Sequence, residues 1–307
     1  MFENKSIIIG VSGGIAAYKT AYLVSALSKT EADVNVIMTE NACEFISPLV
    51  FETLTGNKCY VDTFDRNFKF DVEHISLAKK ADIFMIAPAT ANVIAKIANG
   101  IADDMLTTTF LASKCKKIVS PAMNTAMFEN QITQDNIAKL KKYGIGVVEP
   151  QNGLLACGDT GAGKMPEPDF LFDVIEREIA REKDMLGKKV LVTAGATMES
   201  LDPVRFLTNH SSGKMGFAIA KEAMLRGAEV TVVKANTTAE IPNFIKIVEV
   251  SSAKDMFDAV TALSEQQDII VKAAAVADYT PESYVDSKIK KKDGDLSISL
   301  KRTMDIL

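Results

Sequence analysis

Ser6-Ile7-Ile8-Ile9-Gly10-Val11-Ser12-Gly13-Gly14-Ile15-Ala16-Ala17-Tyr18-Lys19 is the stretch on which the fold turns. A short, unbroken apolar run leads into a glycine-rich turn and then a helical pattern over 16–29. A strand apolar on both faces is covered on both sides, as in parallel sheets layered between helices. The grammar repeats downstream. Strand patterns at 33–38, 81–87, 117–120 and 146–149 alternate with helical patterns at 90–100 and 131–142. Parallel strands need crossover helices, so the fold class is α/β with a doubly wound sheet. Residues 144–168, rich in Gly, Pro and Asp, read as a long loop, and a charged helix over 169–184 carries the chain to Gly187. The pattern then restarts, with strands at 189–193, 229–233, 244–250 and 268–272 and helices at 216–226 and 253–266. Two doubly wound domains are expected, over 1–186 and 187–307. About 120 residues after Leu186 are few for such a domain, so the second is expected to be incomplete.

The chain has 307 residues, 47% hydrophobic and 24% charged, with a net charge of −5. This is globular composition, and the negative balance gives no field that would gather nucleic acid. No apolar run approaches the roughly 20 residues that span a bilayer, so no membrane partner is expected. Cys43, Cys59, Cys115 and Cys157 show no CxxC spacing, which suggests neither a zinc site nor a disulfide framework. The expectation is a soluble, cytoplasmic protein with free thiols.

The Gly10–Gly14 turn lets backbone approach an anion at a helix N-terminus. A tight turn without a ligand is the alternative. A dinucleotide site wants an acidic residue closing the second strand; here Met38-Thr39 stand there and Glu40 comes one place late. A mononucleotide therefore fits better than NAD. Gly158 to Met165 mimics a P-loop through Lys164, but Met165 replaces the magnesium-binding hydroxyl, so an ATPase is rejected. The chain has two histidines, of which His74 is a candidate base or a surface residue at a helix start. Cys157, in a small-residue loop, is a candidate reactive thiol or an incidental one. Asn124 is a carboxylate ligand or the cap of its own turn. Asn209 to Gly213 reads as an anion loop or a plain cap, and the lysines at 288–292 as a solvated flap or a polyphosphate contact.

Together these pieces carry a resemblance. Gly10 to Lys19, His74, Ala87-Pro88-Ala89-Thr90-Ala91-Asn92, Pro121-Ala122-Met123-Asn124 and Ala156-Cys157-Gly158 through Pro168 occur in order. So do Thr193-Ala194-Gly195-Ala196-Thr197, Leu201-Asp202-Pro203-Val204-Arg205, Asn209 through Gly216, Ala273 through Tyr279, and Lys288-Ile289-Lys290-Lys291. The chain resembles the FMN-dependent cysteine decarboxylase family, in its bifunctional phosphopantothenoylcysteine decarboxylase/phosphopantothenate–cysteine ligase branch of coenzyme A biosynthesis. The resemblance covers essentially the whole chain. It implies a flavodoxin-like or Rossmann-like flavoprotein domain followed by a Rossmann-like ligase domain, and a homo-oligomer.

By that resemblance Gly10, Ser12, Gly13, Thr39, Asn92 and Thr107 line an FMN pocket. His74 is the base, Asn124 holds the substrate carboxylate and Cys157 is the acid. Arg205 and Asn209 meet 4'-phosphopantothenate. Lys272, Ala273, Ala274, Asp278 and Lys288 meet CTP, as do Met304, Asp305, Ile306 and Leu307. The implied partners are 4'-phosphopantothenate, cysteine, CTP and 4'-phosphopantothenoylcysteine, with Mg²⁺ in the ligase step; its ligands are not named by the sequence. Phe128 stands where the family usually has Trp and Met304 where Pro is usual. The competing expectation is a decarboxylase or flavin-binding regulatory module whose ligase half is inactive.

Overall fold

The structure, a computed structural model, describes residues 2–63, 73–154, 158, 160–291 and 295–306. Cys157, Leu307 and Lys292 lie outside the described residues. The chain divides into two compact units, Met1–Ala180 and Arg181–Leu307.

In the first unit the elements run β1 (Ser6–Val11), α1 (Ala17–Leu27), β2 (Asp33–Met38), α2 (Glu40–Cys43), α3 (Pro48–Thr55), β3 (Cys59–Tyr60), α4 (Glu73–Lys80) and β4 (Ile83–Ala89). They continue through α5 (Ala91–Ala98), α6 (Met105–Ala112), β5 (Lys116–Pro121), α7 (Thr125–Glu129), α8 (Gln131–Lys142) and β6 (Gly146–Val147) to β7 (Gln151–Leu154), β8 (Thr160–Lys164) and α9 (Pro168–Ile179). Strands β1 to β6 form one sheet in the order β3-β2-β1-β4-β5-β6, and every pair is parallel. β1 and β4 are buried along their whole length, which explains their unbroken apolar sequences. On one face Ile8, Phe84, Ile86 and Val119 pack with Phe110 of α6. The Phe84 and Phe110 rings meet edge to face, with centroids 5.2 Å apart.

The order reverses between β1 and β4, so their carboxyl ends open a crevice at the switch point, where doubly wound folds bind ligands. One expectation is corrected here. Within 144–168, read from the sequence as loop, β7 and β8 form an antiparallel hairpin. Its glycine-rich, largely exposed strands carry no alternation by which sequence reading finds a strand.

The second unit comprises β9 (Lys189–Ala194), β10 (Met198–Ser200), β11 (Phe206–Thr208), α10 (Lys214–Leu225), β12 (Glu229–Lys234), β13 (Lys246–Glu249), α11 (Ala253–Ser264), β14 (Ile269–Lys272), β15 (Tyr279–Pro281) and β16 (Leu300–Arg302). A parallel sheet runs β13-β12-β9-β14, with its own switch point between β9 and β14. Two antiparallel pairs, β10 with β11 and β15 with β16, complete it. β16 takes its position from antiparallel pairing with Tyr279–Pro281. Two apolar clusters form the core, one built on Val190, Val192 and Phe217 and the other on Leu191, Val233 and Met256.

Phe84→Ala removes a fully buried ring at the centre of the first sheet. The expected cost is about 3–5 kcal/mol in the unfolding free energy of the first unit, read by denaturant titration.

Candidate active sites

The first crevice is held together by hydroxyls. Ser12, fully buried, donates from Oγ to the Pro88 carbonyl at 2.7 Å and accepts from the Thr90 N–H at 2.9 Å. Thr20 of α1 donates to the Ala87 carbonyl at 2.6 Å. These bonds fasten the ends of β1 and β4 to each other and to α1. Gly13 follows, and a Cβ there would lie within 2.8 Å of the Asn41 main chain, so only glycine lets the turn pass. The N-terminus of α1 has no side-chain cap; the Ala17 and Lys19 N–H groups close tight turns onto the Gly14 and Ala16 carbonyls, each at 3.0 Å, and the positive end of the helix dipole faces the crevice.

A cavity of about 430 Å³ opens on this turn; Gly13, Gly14, Lys19, Thr90, Asn124 and Met165 are among its lining residues. Asn124 caps α7, its Oδ1 accepting from the Ala126 N–H at 2.8 Å, so the capping role left open by the sequence is realised in a residue that also faces the cavity. The β7–β8 hairpin closes one side. The Met123 N–H donates to the Gly163 carbonyl at 3.1 Å, and Gly163 has φ 128°, where a Cβ would run into the Met123 carbonyl. Lys19 anchors the chain just past β8: its ammonium, 10% exposed, donates to the Met165 carbonyl at 3.3 Å and to Glu167 Oε1 at 2.8 Å. Lys164 approaches the same carboxylate at 3.3 Å. The Lys19 hydrogen bond holds Glu167 below the usual carboxylate range.

Gly13 and Asn124 thus meet in one cavity, and Ser12 braces its wall. The other expected flavin-pocket residues are placed differently. Gly10 is inside β1, where a Cβ would press on Leu106 and Ile86. Thr39 caps α2, accepting from the Ala42 N–H at 3.2 Å. Asn92 is exposed on the first turn of α5. Thr107 is fully buried, its hydroxyl donating to Asp104 at 2.8 Å in the capping box of α6. It borders a separate cavity of about 440 Å³ beside Phe110, Lys117 and Tyr143. His74 is half-buried at the start of α4 and does not border the cavity of Gly13 and Asn124. Sequence reasoning missed Lys19 as a site residue. The available signal was a lysine on the helix face that buries Thr20, Leu23 and Leu27.

The second switch point has a parallel device. Thr193, buried at the end of β9, accepts through Oγ1 from the Ala273 and Ala274 N–H groups, each at 3.1 Å. Thr197 accepts from the Ala277 N–H at 2.9 Å. Asn209 donates to the Ala275 and Val276 carbonyls, and Thr303 to the Ala277 carbonyl. A cavity of about 570 Å³ lies against this loop, and Lys272, Asp278, Met304, Asp305 and Ile306 line it together. Lys272 donates to the Ile306 carbonyl. Arg205 and the exposed Lys288 do not border this cavity; Arg205 donates to the Ile289 carbonyl at 2.7 Å.

Residues 1–180 match the Flavoprotein family, and residues 185–307 match the DNA/pantothenate metabolism flavoprotein C-terminal domain. The Coenzyme A biosynthesis bifunctional protein CoaBC of Bacillus subtilis (strain 168) is 45% identical over 310 residues, covering 100% of this chain and 76% of the relative. The protein of the same name from Borreliella burgdorferi is 42% identical over 308 residues, covering 100% and 79%. This chain belongs to the CoaBC family. Among solved structures, a mutant PPC decarboxylase complexed with pantothenoylaminoethenethiol is similar at 30% identity and TM-score 0.51, over 56% of this chain and 96% of that one. The FMN binding protein AtHal3 is similar at 30% identity and TM-score 0.50, over 56% and 95%.

Thr193→Val keeps the side-chain shape and removes the acceptor of the Ala274 N–H, while the Ala273 N–H keeps the Thr193 carbonyl at 3.2 Å. The orphaned Ala274 donor is expected to cost about 1–3 kcal/mol of unfolding free energy. Calorimetry checks the stability loss, and faster hydrogen exchange at the Ala274 amide checks loosening of the 273–277 loop.

Proposed function

We propose that this protein carries out two steps of coenzyme A biosynthesis. The ligase half couples 4'-phosphopantothenate to cysteine at the expense of CTP; the flavoprotein half decarboxylates the resulting 4'-phosphopantothenoylcysteine to 4'-phosphopantetheine. The observation that carries this reading is 45% identity to a bifunctional CoaBC protein along the full chain. The reading is supported by a cavity at each switch point, one lined by Gly13 and Asn124 and the other by Lys272 and Asp278.

The first cavity fits FMN. An uncapped helix N-terminus, reached through a turn that a Cβ at residue 13 would block, suits one phosphate group. When bound, FMN supplies reversible hydride acceptance, which makes a net decarboxylation redox-neutral. The chain's residues orient and protonate. With Oδ1 of Asn124 accepting from Ala126, the donor end of the carboxamide is Nδ2, the end a substrate carboxylate needs. His74 takes the proton from the cysteinyl thiol, and Cys157 returns one to the enethiolate left when CO₂ departs. Lys19 and Lys164, near the cavity floor, favour an anionic substrate.

In the second unit the CTP phosphates are met by Lys272 at the cavity and by Lys288. Ala273 and Ala274, on the loop after β14, and Asp278, Met304, Asp305 and Ile306 at the cavity would contact the nucleotide, as would Leu307. Arg205 and Asn209 serve phosphopantothenate. Attack of the pantothenate carboxylate on the α-phosphate releases pyrophosphate, and the cysteine amine then displaces CMP. Mg²⁺ accompanies the nucleotide phosphates in the ligase step, the setting in which it is commonly bound.

The protein acts as a homo-oligomer whose flavin sites are completed by a neighbouring copy. Ile15, Tyr18 and Tyr22 stand 60%, 53% and 67% exposed along one face of the α1 region, and Ile15 and Tyr18 border the cavity. A cytoplasmic location agrees with the described cysteines being free thiols; burial pushes Cys59 up to about 12. No described helix is long and apolar enough to cross a membrane.

The purified chain is expected to bind FMN, visible as yellow absorbance, and to release CMP only when phosphopantothenate, cysteine, CTP and Mg²⁺ are all present. His74→Asn should lower decarboxylation by at least about 100-fold, and Cys157→Ser should release CO₂ but accumulate the enethiol. Colourless protein that refuses FMN, or normal turnover by Cys157→Ser, would count against the corresponding assignment.

A further inference from the structure

We propose that Asp202 is a positioning residue for the ligase reaction: its carboxylate fastens the strap 285–289, and with it Lys288, to the loop that carries Arg205. The proposal rests on the reading of Lys288 and Arg205 as substrate-binding residues.

The Asp202 side chain has no exposed surface. Its Oδ1 accepts from the N–H groups of Val204 and Arg205, each at 2.8 Å, which shapes its own turn. Its Oδ2 reaches 87 residues along the chain to accept from the Ile289 N–H at 3.0 Å. Arg205 completes the grip, donating from Nη2 to the Ile289 carbonyl at 2.7 Å. Both main-chain polar groups of Ile289 are thus held by the 202–205 turn. The other end of the strap is tied by the Val285 N–H donating to the Leu201 carbonyl at 3.1 Å. Between these ties residues 285–288 are exposed and belong to no strand or helix, so little besides the clasp fixes them. Donation from Ile289 is the main cause holding Asp202 below the usual carboxylate range, so the clasp is charge-assisted through the neutral pH range.

A carboxylate is needed rather than an amide. Asparagine keeps an Oδ1 that accepts from Val204 and Arg205, but its Nδ2 then faces the Ile289 N–H, donor against donor. Asp202→Asn therefore opens the strap and leaves the turn formed. A side chain that merely stabilised the domain would reduce the amount of active enzyme and so kcat. One that positions Lys288 raises the KM for CTP.

The test uses the full chain. In Asp202→Asn, hydrogen exchange at the Ile289 amide should accelerate by about tenfold or more, the scale of one lost charge-assisted bond, with β9 and β12 amides unchanged. The KM for CTP in cysteine-dependent CMP release should rise by about tenfold with kcat little altered, and decarboxylation in the other half should be unaffected. Unaltered exchange at Ile289, or faster exchange with an unaltered KM for CTP, would overturn the proposal. Absence of CTP-dependent turnover in the unsubstituted chain would instead overturn the reading of the ligase half, while the exchange data still judge the clasp. If Asp202→Asn exposes the β9 and β12 amides, Ile289→Pro removes the same N–H from the strap side and is held to the KM for CTP and to exchange at the neighbouring Lys288 amide, both of which should rise as in Asp202→Asn.

Discussion

A buried hydroxyl bridging two strand ends is the contact on which both sites depend. In the first unit it is Ser12, joining the end of β1 to Pro88 and Thr90; in the second it is Thr193, joining the end of β9 to Ala273 and Ala274. Each bond spans 76–81 residues, so neither is a local turn device. A doubly wound sheet parts its connecting loops where the strand order reverses, and the parted strand ends expose main-chain donors and acceptors. A ligand uses some of them. Those facing inward need a partner with no bulk, and a serine or threonine hydroxyl within one residue of the strand's end supplies it. The crevice keeps its width because the hydroxyl fixes the loops on its two sides relative to each other.

The two crevices differ in what closes them. Over the first lies the β7–β8 hairpin, attached to the 122–124 loop through the Gly163 carbonyl and to α1 through Lys19. A nearly buried ammonium is costly unless paired, and Glu167 with the Met165 carbonyl provides the pairing. Beside the second crevice stands the β15–β16 pair, which gives Tyr279 and Arg302 to the cavity lining, and the 303–306 segment lies along it, held by Thr303 and Lys272.

Much of this was legible because it is written in runs. β1 and β4 are buried along their whole length and read as nearly unbroken apolar runs, and Gly13 and Asn124 sit in motifs short enough to recognise. What escaped is what depends on distance in the chain or on exposure. The β7–β8 hairpin has glycines where alternation would be, and β3 has only two residues. The Lys19–Glu167 pair joins positions 148 apart, and the Asp202–Ile289 bond joins positions 87 apart; no periodicity encodes either. The expected helix over 169–184 ends at Ile179. Thr107 shows what local spacing does carry: Asp104 three residues earlier is a capping-box spacing, and the two side chains bond as that spacing implies.

Charge placement bears on how a chain of net charge −5 would meet the phosphorylated, anionic ligands proposed for it. A uniform field of that sign repels them, and at physiological salt it fades within about 8 Å of the surface. What remains is local. Lys19 and Lys164 border the first cavity, and Lys272 and Arg302 border the second. Several of these cations are already engaged by protein oxygens: Lys19 by Glu167 and Met165, Lys272 by Ile306. Such cations are pre-positioned, so a phosphate or carboxylate meets side chains whose rotamer entropy was lost on folding rather than on binding. The same logic applies to Arg205, whose fork grips the Ile289 carbonyl while its backbone rests on Asp202. Selectivity for anions in this protein is a matter of fixed geometry at two strand ends, and the acidic remainder of the surface serves solubility.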